Sequence, residues 1–417
     1  MRFYLRTYGC TLNQADSEMI RGIMLKNRAS EAENEEKADV VIINTCTVKG
    51  STEQKTLEYA KRLASSGKKL VIAGCIPQAN LRLVEKFIPS ACIVGPFSLA
   101  HIYEASEGAL QGRKLVFLEH EKKSFAQERS GVIARIPIAE GCLGACAYCQ
   151  TKLARGNLSS YEQKAIVKEI SSLLKRGFKE FQLTAQDTGA YGKDIGSSLI
   201  SLLCELASLR GNFRLRVGMC NPEHALSLKS FANSFASKNI YKFIHLPVQS
   251  GSNRVLKEMG RKYTVAQFFR VINSFRVHFP QASIATDIIV GYPTETERDF
   301  KLSLALIKKL QPNVVNVSKF TPRPLTRAAK LTMLSPHVIN ARSVKMSALC
   351  RELTEQKNRA LIGKEFEVLV TECSRGSLKG RTNAYNQMVI RGKAKLGEFV
   401  KVRVTEATTT SLIGETL

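Results

Sequence analysis

No stretch of the 417-residue chain stays apolar for long enough to cross a membrane. The opening Met1-Arg2-Phe3-Tyr4-Leu5 runs into a strand-like segment with no secretory leader ahead of it. Both absences point to a cytoplasmic protein with no membrane partner. Low-complexity tracts and collagen-like repeats are missing as well, and 44% hydrophobic with 24% charged residues is the balance of a globular chain. Acidic residues are scarce: 36 Asp and Glu face 62 Lys and Arg, a net charge of +26, most of it within residues 128–357. Such an excess draws polyanions and phosphates, although a basic solvated face would give the same sum. The length accommodates two or three domains, each with its own core.

What the sequence has in quantity is cysteine, eleven in all. In a reducing compartment these argue for metal ligation or catalysis rather than disulfides. The first third alternates short apolar runs with helical stretches. Strands are expected at Arg2 to Tyr8, Val40 to Asn44 and Leu70 to Ala73, and helices over Asn13 to Lys26, Ser51 to Ala64 and Gln78 to Phe87. This rhythm implies a flavodoxin-like parallel sheet with helices on both faces. Cys10, Cys46 and Cys75 each fall just past one of those strands. Neighbouring parallel strands share one carboxyl edge, where ligands bind, so three cysteines distant in sequence can meet there. Taken singly, each is equally well read as a buried strand-end thiol.

Polar residues around Glu119 to Ser130 read as a linker. Six further strand–helix units follow, with strands near Val132–Ile138, Glu180–Thr184, Phe213–Val217, Ile240–His245, Ala282–Ile289 and Val314–Ser318. They suggest a partial barrel whose site lies at the strands' C-terminal ends. A helix over Pro336 to Leu361 leads into short strands at Glu365–Thr371, Met388–Ile390, Phe399–Val404 and Ser411–Gly414, punctuated by Gly376, Gly380, Gly392 and Gly397. That spacing fits a small β-barrel. The expected domains are 1–112, a linker at 113–130, a core at 131–357 and a barrel at 358–417.

The strongest motif is Cys142-x3-Cys146-x2-Cys149 with Tyr148 before the last cysteine, set just after a strand. Three thiolates on a tight loop favour an iron–sulfur cluster with one iron left open. A structural zinc site ordinarily takes four ligands in paired knuckles. Buried free cysteines are the other alternative.

Cys-x3-Cys-x2-Cys with that aromatic resembles the radical S-adenosylmethionine (SAM) superfamily. Around it the chain resembles the methylthiotransferase family over essentially its whole length. The opening Thr7-Tyr8-Gly9-Cys10-Thr11-Leu12-Asn13-Gln14-Ala15-Asp16-Ser17-Glu18, Asn44-Thr45-Cys46-Thr47-Val48 and Ala73-Gly74-Cys75 are similar to its N-terminal signatures. Ala154-Arg155-Gly156-Asn157-Leu158, the run Leu183 to Gly192, Gly218-Met219-Cys220-Asn221-Pro222, His245 to Ser250 and Ala285 to Pro293 look like its archaeal and eukaryotic branch. The resemblance implies an α/β protein: an N-terminal cluster domain, a radical SAM (βα)6 partial barrel and a C-terminal TRAM β-barrel. It implies two [4Fe-4S] clusters, one on Cys142, Cys146 and Cys149 and one on Cys10, Cys46 and Cys75, the second carrying the inserted sulfur. One SAM would supply a radical and another a methyl group. Tyr148 would meet the adenine, while Thr184, Gln186, Asp187, Asn221, Gln249 and Ser250, at or past strand ends, would orient the cofactor. For Asp187 and Asn221 a turn role is an equal reading.

The branch acts on threonylcarbamoyladenosine next to the anticodon, at position 37 of ANN-decoding tRNAs, and makes its 2-methylthio derivative. The resemblance thus implies tRNA and an electron donor as partners, with the chain acting as a monomer. Arg375, Lys379, Arg381, Arg391, Lys393 and Lys395 on the terminal barrel suit contact with folded RNA, or form a solvated basic face. The family's usual Tyr-Pro-Arg-Pro-Gly-Thr-Pro is Thr321-Pro322-Arg323-Pro324-Leu325-Thr326-Arg327 here, which changes the turn of that loop. Eukaryotic relatives commonly continue into a membrane anchor, so ending after the barrel suits an archaeal-type soluble form. Two other readings are a methylthiotransferase of a ribosomal-protein side chain and a non-catalytic iron–sulfur RNA-binding protein. The net charge and branch motifs favour tRNA over the first. The open iron that pure binding would not need counts against the second.

Overall fold

In the computed structural model, all residues are described except 48, 49, 120–124, 126–128 and 375. Part of the expected linker, Val48 and the candidate RNA contact Arg375 therefore lie outside the described residues. The N-terminal sheet is wholly parallel, with spatial order Ser30–Glu31, Arg2–Thr7, Val40–Thr45, Lys69–Gly74, Cys92–Val94, Val116–Phe117. Its central strand, Val-Val-Ile-Ile-Asn-Thr, is buried at every position, as a strand covered by helices on both faces must be. The sixth strand pairs with Cys92–Val94, so this sheet extends past residue 112 into the expected linker.

The second unit holds two three-stranded parallel sheets. One centres Glu180–Thr184 between Ile133–Pro137 and Arg214–Val217, and the other centres Ser283–Val290 between Phe243–His245 and Val314–Lys319. A parallel bridge from Leu215 to Ile240 joins them into the expected six-stranded partial barrel. Leu215, Val217, Ile284 and Ile288 pack outward into the main core beneath the helices, so the alternate residues Arg216, Ala285 and Asp287 face the lumen. Among the described residues no helix is long and apolar enough to cross a membrane.

The helix Pro336–Arg359 leads to a closed barrel of Glu365–Ser374, Ser377–Thr382, Gln387–Arg391, Leu412–Thr416 and Phe399–Ala407, in that order round the wall. Gly380, expected to punctuate, sits inside the second of these strands.

This barrel docks on the N-terminal ends of the partial-barrel strands. Tyr385 at its hairpin tip enters the lumen floor, 4.8 Å from the Tyr241 ring and 5.0 Å from the Phe243 ring, with its hydroxyl 3.2 Å from Gln182 Nε2. Around it, Arg214 donates to Glu367 (2.5 Å) and Ser283 to Asn386 (2.9 Å). Tyr385 adopts φ +66°, a conformation bulky residues avoid and one that the docked ring must hold. Tyr385→Ala should therefore lower stability by about 3 kcal/mol. The check is a fall in the urea midpoint together with earlier proteolysis between residues 358 and 364.

Candidate functional site

The Cys142–Cys149 loop follows the short strand Ala139–Glu140, which pairs with Ser159–Ser160. It is tied to two other loops at the barrel mouth: Ala147 N–H donates to Met259 O and Ala328 N–H to Ala147 O, both at 2.9 Å, while Arg327 reaches Ala145 O at 2.9 Å. The Gly144 amide donates to Cys142 Sγ at 3.2 Å, and a Cβ built on Gly144 would stand 3.3 and 3.8 Å from the sulfurs of Cys142 and Cys146. Both thiols thus lie on one side of the loop. Burial pushes the Cys142 thiol up to about 11 and raises Cys149 as well. A bound metal would reverse this by taking the thiols as thiolates. Among the described residues no three histidine, cysteine or carboxylate side chains converge as a single ion requires; a cluster, which spreads its irons apart, asks for a wider frame.

Arg261, which the sequence did not signal, crosses the mouth. It donates to Cys146 Sγ (3.3 Å), Asn221 Oδ1 (3.0 Å) and the Tyr263 hydroxyl (3.0 Å). Burial raises Tyr148 well above the usual phenol range despite the Arg261 charge beside it. Asp187 is turned inward, accepting from the amides of Gly189 and Asn221 (3.0 Å each) and from His224 Nδ1 (2.6 Å). Gln186 Oε1 is buried with no hydrogen-bond partner. Thr184 and Ser250 are buried, and Gln249 takes φ +71° while its backbone ties to Asp287 and Ile289.

The N-terminal thiols meet at one edge because the registers place Thr7 beside Asn44 and Thr45 beside Gly74. Asn13, on the helix Thr11–Lys26, sits among them. Its Oδ1 accepts from Cys10 Sγ (3.3 Å), and its Nδ2 donates to Thr45 O (2.9 Å) and approaches Cys75 Sγ (3.9 Å). Cys75 opens the helix Cys75–Ala79. A hydrogen bond from Cys46, with the helix amides and Arg155 adding to it, lowers Cys10 to about 6 against the cost of burial.

The two cysteine loops are neighbours. Thr47, after Cys46, donates to Oε1 of Gln150, after Cys149, at 2.6 Å. Arg155, at the end of the helix Thr151–Arg155, is buried, with Nε 3.2 Å from Cys75 Sγ, Nη2 2.5 Å from Asp16 and Nη1 3.0 Å from Glu140. Arg323, from the loop that departs from the family pattern, holds the Thr47 carbonyl (2.7 Å) and Glu53 (2.5 Å).

Comparisons with known proteins follow this layout. Family models match residues 2–95 (Uncharacterized protein family UPF0004), 136–307 (Radical SAM superfamily) and 359–417 (TRAM domain). The "Probable threonylcarbamoyladenosine tRNA methylthiotransferase" of Archaeoglobus fulgidus is 41% identical over 100% of this chain and 98% of its own length. That of Pyrococcus horikoshii is 38% identical over 100% and 99%. The chain belongs to the threonylcarbamoyladenosine tRNA methylthiotransferase family. The Drosophila melanogaster member is 35% identical over 100% of this chain and 78% of its own. Among solved structures, the radical S-adenosylmethionine methyltransferase TsrM of Kitasatospora setae, with tryptophan and a SAM analogue bound, shares the fold, at TM-score 0.57 and 14% identity over 79% of this chain and 75% of that one.

On the terminal barrel, Lys393, Lys395 and Arg391 are exposed, Arg391 pairing with Glu406 at 2.6 Å. Lys379 is half-buried, and Arg381 lies over the Tyr385 ring, 4.8 Å from its centre. Asn13, Asp16, Arg155, Arg261 and His224 belong to no chemical motif that spacing alone would single out. Asn13, Asp16 and Arg155 lay inside family-like segments, which was their only signal.

Proposed function

We propose that the protein converts N6-threonylcarbamoyladenosine at position 37 of ANN-decoding tRNAs into its 2-methylthio derivative, acting as a monomer served by an electron donor. The observation that carries this is the junction of the Cys142–Cys149 loop with the edge that gathers Cys10, Cys46 and Cys75, through Thr47–Gln150 and Arg155. Full-length kinship with enzymes named for that substrate supports the choice of tRNA. When bound, SAM with an iron–sulfur cluster on Cys142, Cys146 and Cys149 would supply radical and methyl chemistry, and a second cluster on Cys10, Cys46 and Cys75 would supply the sulfur.

The chain's own groups suit these tasks. Arg261 donates to Cys146 Sγ and ties the cysteine loop to Asn221 across the mouth. The unpartnered Gln186 Oε1 is an acceptor for an amine or hydroxyl of the cofactor, and Tyr148 offers its ring to adenine. Thr184, Gln249 and Ser250 complete the polar rim. Asp187 is a positioning residue that fixes the Asn221 backbone. Lys379, Lys393, Lys395, Arg381 and Arg391 supply RNA contacts along the terminal barrel. Working domain limits are 131–357 and 358–417, after an N-terminal unit whose sheet runs to Phe117.

The test is anaerobic incubation of reconstituted protein with SAM, a sulfide source, a strong reductant and threonylcarbamoyl-modified tRNA, read by nucleoside mass spectrometry. A nucleoside heavier by methylthio in place of hydrogen is expected, and Cys142→Ala should abolish it. Deoxyadenosine formed over unchanged tRNA would mean a different substrate. Absence of both with intact clusters would end the enzyme reading.

A further inference from the structure

Beneath the cysteine loop the lumen is layered, and one of its arginines has no ion-pair partner among the described residues. Strand alternation turns Arg216 inward while its neighbours Leu215 and Val217 pack outward. Its guanidinium lies 5.5 Å from the ring centres of both Phe243 and Tyr385. Nε is buried without a hydrogen-bond partner, and among the described residues no carboxylate forms an ion pair with this arginine.

The other charged groups on that floor have partners of their own, charged or neutral. Glu180 accepts from Gln182 (2.7 Å) and Tyr241 (2.8 Å), with the Tyr385 hydroxyl at 3.5 Å. Arg214 is paired with Glu367, Arg135 with Glu18, and Arg381 covers the far side of Tyr385. One strand layer above, His245, Asp287 and Asn316 form a hydrogen-bonded row, with His245 Nε2 3.0 Å and Asn316 Nδ2 2.7 Å from the Asp287 carboxylate. The lumen therefore descends from thiols and Arg261, through a hydrogen-bonded polar row, to Arg216, an arginine without an ion pair seated on aromatic faces, on a floor that also holds the Glu180 carboxylate. Arg216 is half-buried with its Nε sealed off, and a guanidinium without a carboxylate partner at the base of a cavity is where a ligand of opposite sign gains most.

We infer that Arg216 is a specificity-determining residue that binds the free carboxylate at the end of the substrate base's N6 substituent. This rests on the substrate reading above. A threonine joined through its amine to a carbamoyl group keeps its α-carboxylate, the one anion on the base. A base that turns its C2 edge toward the cysteine loop sends its N6 arm away from that loop, down the lumen. Arg216 supplies two N–H donors in a fork that matches a carboxylate, and the Phe243 and Tyr385 faces hold that fork in place.

The experiment measures binding of anticodon stem-loops to the reconstituted protein by fluorescence anisotropy. Three RNAs are compared: one with threonylcarbamoyladenosine, one with its methyl ester and one with unmodified adenosine. The wild-type protein should prefer the carboxylate RNA over the ester by about 10- to 100-fold, the worth of a hydrogen-bonded charge pair. Arg216→Met should erase that preference while leaving affinity for unmodified RNA unchanged, and Arg216→Lys should keep part of it. The ester comparison needs no variant, so a fold defect in Arg216→Met cannot mimic the result. If the wild-type protein binds all three RNAs alike, the substrate reading itself fails. If it favours both modified RNAs equally, or if Arg216→Met retains the preference for the acid, the substrate stands and the role of Arg216 is overturned.

Discussion

Arg155→Met should lower the stability of the folded protein by about 3–5 kcal/mol, the cost of removing one partner from a buried ionic group. The arginine side chain is 1% exposed, and Asp16 and Glu140, which it joins, are 5% and 4% exposed. Without the guanidinium, two carboxylates face each other where the N-terminal sheet meets the partial barrel, and Cys75 loses its N–H donor. Burial already raises the Cys75 thiol, opposed by the Arg155 charge, so the variant should also hold less iron at the N-terminal cysteines. The measurements are a urea midpoint and the iron content of a protein whose Cys142, Cys146 and Cys149 are all alanine. Adding Asp16→Asn and Glu140→Gln should return more than half the lost stability. A variant as stable as the wild type would show that the buried triad is not what joins the two units.

Gly141→Ala should be the most damaging change of a single methyl. Gly141 has φ +71°, where alanine is strained, and its added Cβ would overlap the Asn157 carbonyl carbon and oxygen. The strand pair Ala139–Glu140 with Ser159–Ser160 holds both sides of that contact, so neither can move without releasing the cysteine loop. A loss of about 3 kcal/mol or more is expected from strain and overpacking together. Iron bound by a Cys10, Cys46, Cys75 triple-alanine protein should fall to a small fraction. Full iron retention there would contradict the rigidity argued for this turn.

Much of this architecture was readable in the residues. Glu180–Thr184 matches its expected bounds, because a short strand alternating Phe181 and Leu183 with polar residues, set between a Gly-Phe turn and a polar loop, has little room to shift. The span Gln78 to Phe87, expected as one helix, is two, Cys75–Ala79 and Leu81–Phe87. Asn80 breaks it by accepting from the Leu83 amide, a local cap that apolar periodicity does not reveal. The strand Ser377–Thr382 was missed because glycines that read as punctuation can equally lie where barrel walls pack closely. The gathering of Cys10, Cys46 and Cys75 was legible since each follows a strand of one parallel sheet. The lumen was not. Arg214-Leu215-Arg216-Val217 announces alternation, but a barrel wall has a packed side and an inner side, and the pattern alone does not say that the inner one is polar. Arg155 and Arg261 were hidden for a related reason: each reaches across the fold to a partner more than 75 residues away.

The stretch from Cys149 to Arg155 leaves no slack. Its helix spans Thr151–Arg155, and a residue inserted there would swing Arg155 by about 100° around the helix axis, away from Cys75, Asp16 and Glu140 together. The Thr47–Gln150 contact pins the near end of the same interval. Loops elsewhere in the chain can lengthen or shorten and still close, whereas this interval works as a gauge block. Its length is fixed by the gap it sets between the two groups of cysteines, so an insertion or deletion there would be felt at both at once.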